Sequence, residues 1–156
     1  MKKFLFTVLA LFLVTTAAYA NKTTKRTDMK IKIDITSDSG THTLTALLED
    51  NSSAKTFHEF LKKGPVTIDM HDYGSFEKVG SLGTSLPRND SQITTEAGDI
   101  ILYQGNQITI YYDTNSWNFT RLGKVVSTSS TTSITQAELK QILGKGDVTA
   151  VFSVME

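Results

Sequence analysis

Hydrophobic and polar positions alternate strictly over residues 29–35, with Met29, Ile31, Ile33 and Ile35 on one face. That is the period of a half-buried β-strand. Asp38-Ser39-Gly40 is turn chemistry and the strand pattern resumes over 41–48, so the first unit is predicted to be a β-hairpin. Asn51-Ser52-Ser53 offers side chains that cap free N–H groups. Ala54, Phe57, His58 and Leu61 then recur at helical spacing until Gly64-Pro65 stops the helix. Residues 66–70 alternate again, as do parts of 100–103 and 108–113, and Gly105-Asn106 marks a tight hairpin between the last two. Residues 118–126 read as another strand. The hydroxyl run 127–133 has nothing to bury and reads as a mobile loop. In the second helix Thr135 and Glu138 form a capping box, Ile134 can staple onto Leu139, and Gly144 supplies the left-handed stop. Residues 148–154 form a closing strand.

About eight short strands and two short helices predict a mainly β fold, a closed antiparallel barrel with its ends plugged by the helices. Closure removes the aggregation-prone edges of so small a sheet. Neither β-α-β alternation nor a G-x-G-x-x-G or P-loop element occurs, so a Rossmann-type nucleotide site has no support. No internal repeat is visible.

The N-terminal stretch reads as an address. Lys2 and Lys3 precede an almost unbroken apolar run over 4–14, and Ala18-Tyr19-Ala20 is a small-x-small cleavage pattern. Residues 1–20 are therefore expected to be a secretory signal peptide, 21–28 a flexible polar leader, and 29–156 the barrel domain. The apolar run is short for the ~30 Å hydrocarbon core, so no stable membrane insertion is expected after cleavage. The expected destination is the periplasm or the outside of the cell.

Composition narrows the chemistry. The 156 residues include no cysteine, which excludes disulfide scaffolds, thiolate metal sites and cysteine nucleophiles. With 16 basic and 16 acidic side chains there is no basic footprint for nucleic acid. Losing Lys2 and Lys3 with the signal leaves a slight acidic excess. The Asn-x-Ser/Thr sequons at Asn21, Asn51, Asn89 and Asn118 are taken as chance in a chain rich in Ser and Thr. His42, His58 and His71 are scattered and form no H-x-H or H-E-x-x-H, so no metal site or cofactor is expected. No G-x-S-x-G elbow supports a hydrolase.

The middle of the chain is more specific. Leu86-Pro87-Arg88-Asn89-Asp90 is followed by Ala97-Gly98-Asp99-Ile100-Ile101-Leu102-Tyr103, then by Trp117-Asn118-Phe119-Thr120-Arg121-Leu122-Gly123. Upstream stand Leu48-Glu49-Asp50-Asn51-Ser52, Asp72-Tyr73 and Glu77-Lys78. In this order the elements resemble the bacterial cyclophilin-like domain family over roughly residues 29–156. The resemblance implies a cyclophilin-like barrel and assigns little chemistry. Relatives joined to flavodoxin-like domains make an interaction domain for such a partner one implied role.

Prolyl isomerisation is a second implied role. Cyclophilins set an arginine beside the proline amide, weakening its double-bond character against a barrier of ~20 kcal/mol. Phe119-Thr120-Arg121 has the F-x-R spacing that puts Phe119 and Arg121 on one strand face, and Gln104-Gly105 echoes the family's Q-G segment. The chain order is reversed, however, so the catalytic role does not transfer to Arg121. The leading expectation is a binding module that holds a small molecule or peptide segment at the barrel mouth, with an atypical prolyl isomerase as the alternative. The candidate ligand-binding residues are Arg121, Phe119, Trp117, Tyr112, Tyr103 and Glu77. Each has a plainer reading. Arg121 could pair with Glu77, Asp99 or Asp113, the aromatics could pack the barrel, and Glu77-Lys78 could be a solvated or cross-strand pair.

The address reading predicts that exported protein begins at Asn21. Intact-mass measurement on protein from the native host checks it, and residues 1–20 still attached would overturn the expected localisation.

Overall fold

The structure is a computed structural model that describes residues 29–127 and 132–155. The predicted signal and leader, and residues 128–131 of the hydroxyl run, lie outside the described residues. The elements run β1 (Lys30–Ser37), β2 (Gly40–Leu48), α1 (Ser52–Leu61), β3 (Val66–Tyr73), β4 (Glu77–Ser81), β5 (Ser91–Thr94), β6 (Asp99–Tyr103), β7 (Gln107–Tyr111), β8 (Ser116–Val126), α2 (Gln136–Leu143) and β9 (Val148–Val154). The pairing order is β2-β1-β9-β3-β4-β7-β6-β8, and β8 returns to β2 to close an antiparallel barrel. The short β5 pairs with the first half of β8 and lengthens the wall there.

The predicted alternation sets what lies inside. Ile31, Ile33 and Ile35 are wholly buried, and their polar neighbours on β1 point outward. They meet Leu44 and Ala46 of β2, Ile68 and Met70 of β3, and Ala150 and Phe152 of β9.

The helices close opposite ends. Phe57 of α1 sits edge-on to Phe152 with ring centroids 6.0 Å apart, near the end of β9. The α1 cap is Asn51, whose Oδ1 accepts from Ala54 N–H at 2.8 Å while its Nδ2 donates to the Arg121 carbonyl at 2.8 Å. One side chain thus starts the helix and ties it to β8. At the other end Thr135 caps α2, Leu139 and Leu143 are buried, and the Ser37 hydroxyl at the end of β1 donates to the Ile142 carbonyl at 2.8 Å. Ile134 and Leu139 are both buried in the barrel's core cluster.

One interior side chain breaks the apolar pattern. Lys78 is 0% exposed, so it is no solvated partner of Glu77, and adjacent strand positions send the two to opposite faces. Its ammonium donates to the Gly144 and Gly146 carbonyls just past α2 and pairs with Asp72 at 2.8 Å. Asp72 also accepts from the Tyr112 hydroxyl at 2.9 Å and from Gly146 N–H at 3.1 Å. Partial burial opposes ionisation of Asp72. The bonds from Lys78, Tyr112 and Gly146 outweigh it and hold the carboxyl below its ordinary value of 3.8.

The stabilisation from Asp72 is therefore complete above pH 3.8 and lost as pH falls through its lower folded value. Asp72→Asn strands a buried ammonium and is expected to cost about 3 kcal/mol at pH 7. Urea titrations at pH 7 and near pH 2 check this, since the deficit should shrink once the wild-type carboxyl is itself protonated.

Candidate functional site

The outer face of β3, β4, β7, β6 and β8 carries its own cluster, separate from the barrel core. Cross-strand register orders it into rows. Tyr73 stands opposite Glu77, and Glu77 opposite Tyr111. The next row runs His71, Val79, Thr109, Ile101, Arg121, and a third runs Ser81, Gln107, Tyr103. Of these, Tyr73, Glu77, Tyr111, His71, Val79, Ser81, Gln107 and Tyr103, with Trp117 and Phe119 from β8, wall an open cavity of about 590 Å³.

Its rings touch in sequence. Phe76 stacks on Tyr111 at 5.9 Å and 6°, and Tyr73 meets Phe76 edge-on at 6.0 Å. Tyr111 lies 5.7 Å from Phe119, which Tyr103 meets edge-on at 6.2 Å. Contacts of this kind contribute about 0.5–1.5 kcal/mol each beyond area burial. The β3–β4 turn makes the first of them possible. Gly74 has φ +58°, and a Cβ there would lie 2.2 Å from the Phe76 ring. Only glycine leaves room for that ring to fold back over Tyr111.

Glu77 is the charged group of the cavity. It is 7% exposed, and its Oε2 finds no hydrogen-bond partner among the described residues. Burial raises its carboxyl above the ordinary 4.5, against weaker pulls from Tyr111 and His71. The folded state thus holds this proton more tightly than the unfolded chain, and stability falls as pH rises from 4.5 through the raised value. Burial, and then the adjoining Glu77 carboxylate, push the Tyr111 hydroxyl well above its usual range.

Four of the six candidate residues, Phe119, Trp117, Tyr103 and Glu77, come together here. The place differs from the expected barrel mouth, because helices occupy both ends and the cavity opens on the outer wall. Tyr112 lies elsewhere. Strand alternation turns it away from Tyr111 onto the barrel core, and Lys140 sits 5.7 Å from its ring centroid. Burial, and then the Asp72 carboxylate, push its hydroxyl up to about 12.

Arg121 stays outside the cavity. Ile100 pairs with Gly123 and Ile101 with Arg121, so Leu122 is an extra residue, a β-bulge. The bulge brings Arg121 and Lys124, three apart, to one buried carboxylate. Asp99 is 0% exposed and accepts from Arg121 Nη2 at 2.9 Å and from Glu96 N–H at 2.9 Å, with Lys124 Nζ at 3.6 Å. Of the three pairings expected for Arg121, Asp99 is the one formed. Residues that sequence reasoning left out of the site are Phe76, Tyr73, His71, Gln107 and Asn115. The signal for the first two was the turn Gly74-Ser75 set between aromatics at the end of an alternating run.

A family model described as the cyclophilin-like family matches residues 37–153. Among solved structures, the solution structure of a hypothetical protein from Archaeoglobus fulgidus is similar at a TM-score of 0.54 and 15% identity. The match covers 80% of this chain and 93% of that one, a likeness of fold. No curated protein matches.

The pairing predicts that Arg121→Ala destabilises by roughly 2 kcal/mol, below the 3–5 of a fully buried pair because Lys124 and the Glu96 N–H remain on Asp99. Denaturant titration checks it. A change within about 0.5 kcal/mol would mean that Asp99 does not need the guanidinium.

Proposed function

The chain belongs to the cyclophilin-like family, and we propose that it is an exported single-domain binding module holding a small molecule or short peptide segment in its outer-wall cavity. The observation that carries this reading is the cavity, about 590 Å³ and walled by aromatic rings around one buried carboxylate. Small-molecule sites are of this size, mostly apolar, with few convergent polar groups. Export rests on the signal-like residues 1–20.

The alternative, prolyl isomerisation, calls for a guanidinium free to donate to a proline nitrogen. The Arg121 guanidinium is held by Asp99, and its Nε is buried without a partner among the described residues. A paired Arg121 is also what an interaction domain for a flavodoxin-like partner would have, but such a domain has no use for an open aromatic cavity. Binding accounts for both features.

Trp117 is the chain's single tryptophan, 60% exposed at the cavity rim, so its fluorescence reports occupancy. The neutral dye N-phenyl-1-naphthylamine is expected to bind saturably, quench Trp117 and brighten. Tyr103→Ala should weaken that binding about tenfold, as loss of an aromatic anchor does, while Arg121→Gln leaves it within about twofold. No saturable binding, or binding indifferent to Tyr103, would overturn the assignment. Catalysed cis–trans exchange of a proline peptide, lost in Arg121→Ala, would favour the isomerase instead.

A further inference from the structure

The cavity carries a chemical preference as well as a shape. Glu77 is its one carboxylate, and neither Lys nor Arg lines it among the described residues. The Glu77 side chain is more than nine-tenths buried, and its Oε2 lacks a donor there. Around it stand Tyr73, Phe76, Tyr103 and Trp117, whose ring faces carry negative charge density. A carboxylate with one oxygen left without a donor among the described residues, set among aromatic rings, is complementary to a positive charge that brings its own N–H groups. A metal ion would need several oxygen or nitrogen ligands, and no group of three His, Asp or Glu stands together among the described residues.

We propose that the ligand is an organic ammonium whose N–H groups donate to Glu77 Oε2 while its carbon skeleton lies among the aromatic rings. The proposal rests on the binding reading and names its ligand class. The free cavity holds Glu77 partly in reserve, because burial favours its neutral form. An ammonium stabilises the ionised form, so binding releases a proton and tightens as pH rises through the carboxyl's free-state titration. The groups facing Glu77 are His71 and Tyr73 on β3 and Tyr111 on β7. A positive charge on His71 would oppose the ligand.

Phenethylamine and its neutral counterpart 2-phenylethanol, titrated against Trp117 fluorescence at pH 7, test the proposal. Phenethylamine is expected to bind at least about tenfold more tightly, the scale of a charged hydrogen bond. Glu77→Gln should erase that preference yet keep 2-phenylethanol binding, which also shows that the variant is folded. The amine's affinity should climb with pH above 4.5 in wild type and in His71→Gln, and stay flat in Glu77→Gln. A blocked Ala-Lys-Ala peptide separates sources, since binding with the same Glu77 dependence supports a lysine side chain as the ammonium. Equal affinities for amine and alcohol, or a preference that survives Glu77→Gln, overturn the ammonium and leave the cavity a binding site. Binding of neither ligand overturns both readings.

Discussion

The architecture turns on β8 being hydrogen-bonded along both edges. Its residues 123–126 pair with β2 on one side, 120–124 with β6 on the other, and 116–119 with β5. Barrel closure requires β2 and β8 to approach closely, and Gly123 sets how closely. A Cβ there would lie 2.4 Å from the Leu47 carbonyl oxygen. Any side chain would therefore push the seam apart. The bulge one residue earlier bends the strand into that seam, which is the usual way a small sheet curls onto itself. Because the bulge shifts the alternation, Leu122 and Val125 both reach the core, and Arg121 and Lys124 both reach Asp99.

Closure also decides where a ligand can go. A barrel of eight strands is filled by its own side chains, and here its ends are taken by Phe57 and Leu61 of α1 and by Leu139 and Leu143 of α2. The aromatic cavity lies on the outer wall. The rings and the sheet beneath them bury Ile101, Tyr111 and Phe119 almost completely, with no helix packed on that face among the described residues. The wall thus behaves as a second small core with one side left open, and the openness is what distinguishes it from packing.

Much of this was legible from local pattern. The β1–β2 hairpin, the Asn51 and Thr135 caps and the closing β9 follow from alternation and capping chemistry that need no distant partner. Strands β4 and β5 were not legible, because EKVGS and SQIT have too few apolar residues to show a period. They exist through pairing with β7 and β8, contacts remote in sequence. The site was half legible. Spacing put Phe119 and Arg121 on one face, but could not say which face, since β7 is buried on both sides at Ile110 and Tyr111. Phe119 and Arg121 do share that face, and what draws the guanidinium away from the cavity is the buried Asp99 on β6, a partner remote in sequence.

The contrast between Glu77 and Lys78 carries the functional argument furthest. The two are adjacent, opposite in charge, and both buried, one on each face of β4. Burial of an ion is costly unless its hydrogen-bonding capacity is met. For Lys78 it is met within the fold, by one carboxylate and two carbonyls that match the three donors of an ammonium. For Glu77 it is not, since Oε2 lacks a donor among the described residues and Arg121 is committed to Asp99. A fold able to satisfy one buried charge so fully has no structural use for leaving its neighbour unmatched. Replacing Glu77 by an apolar residue would extend the ring cluster and remove the desolvation cost. A carboxylate kept at such a position, at the floor of an open cavity, is explained by a partner that arrives from outside and supplies the missing donor.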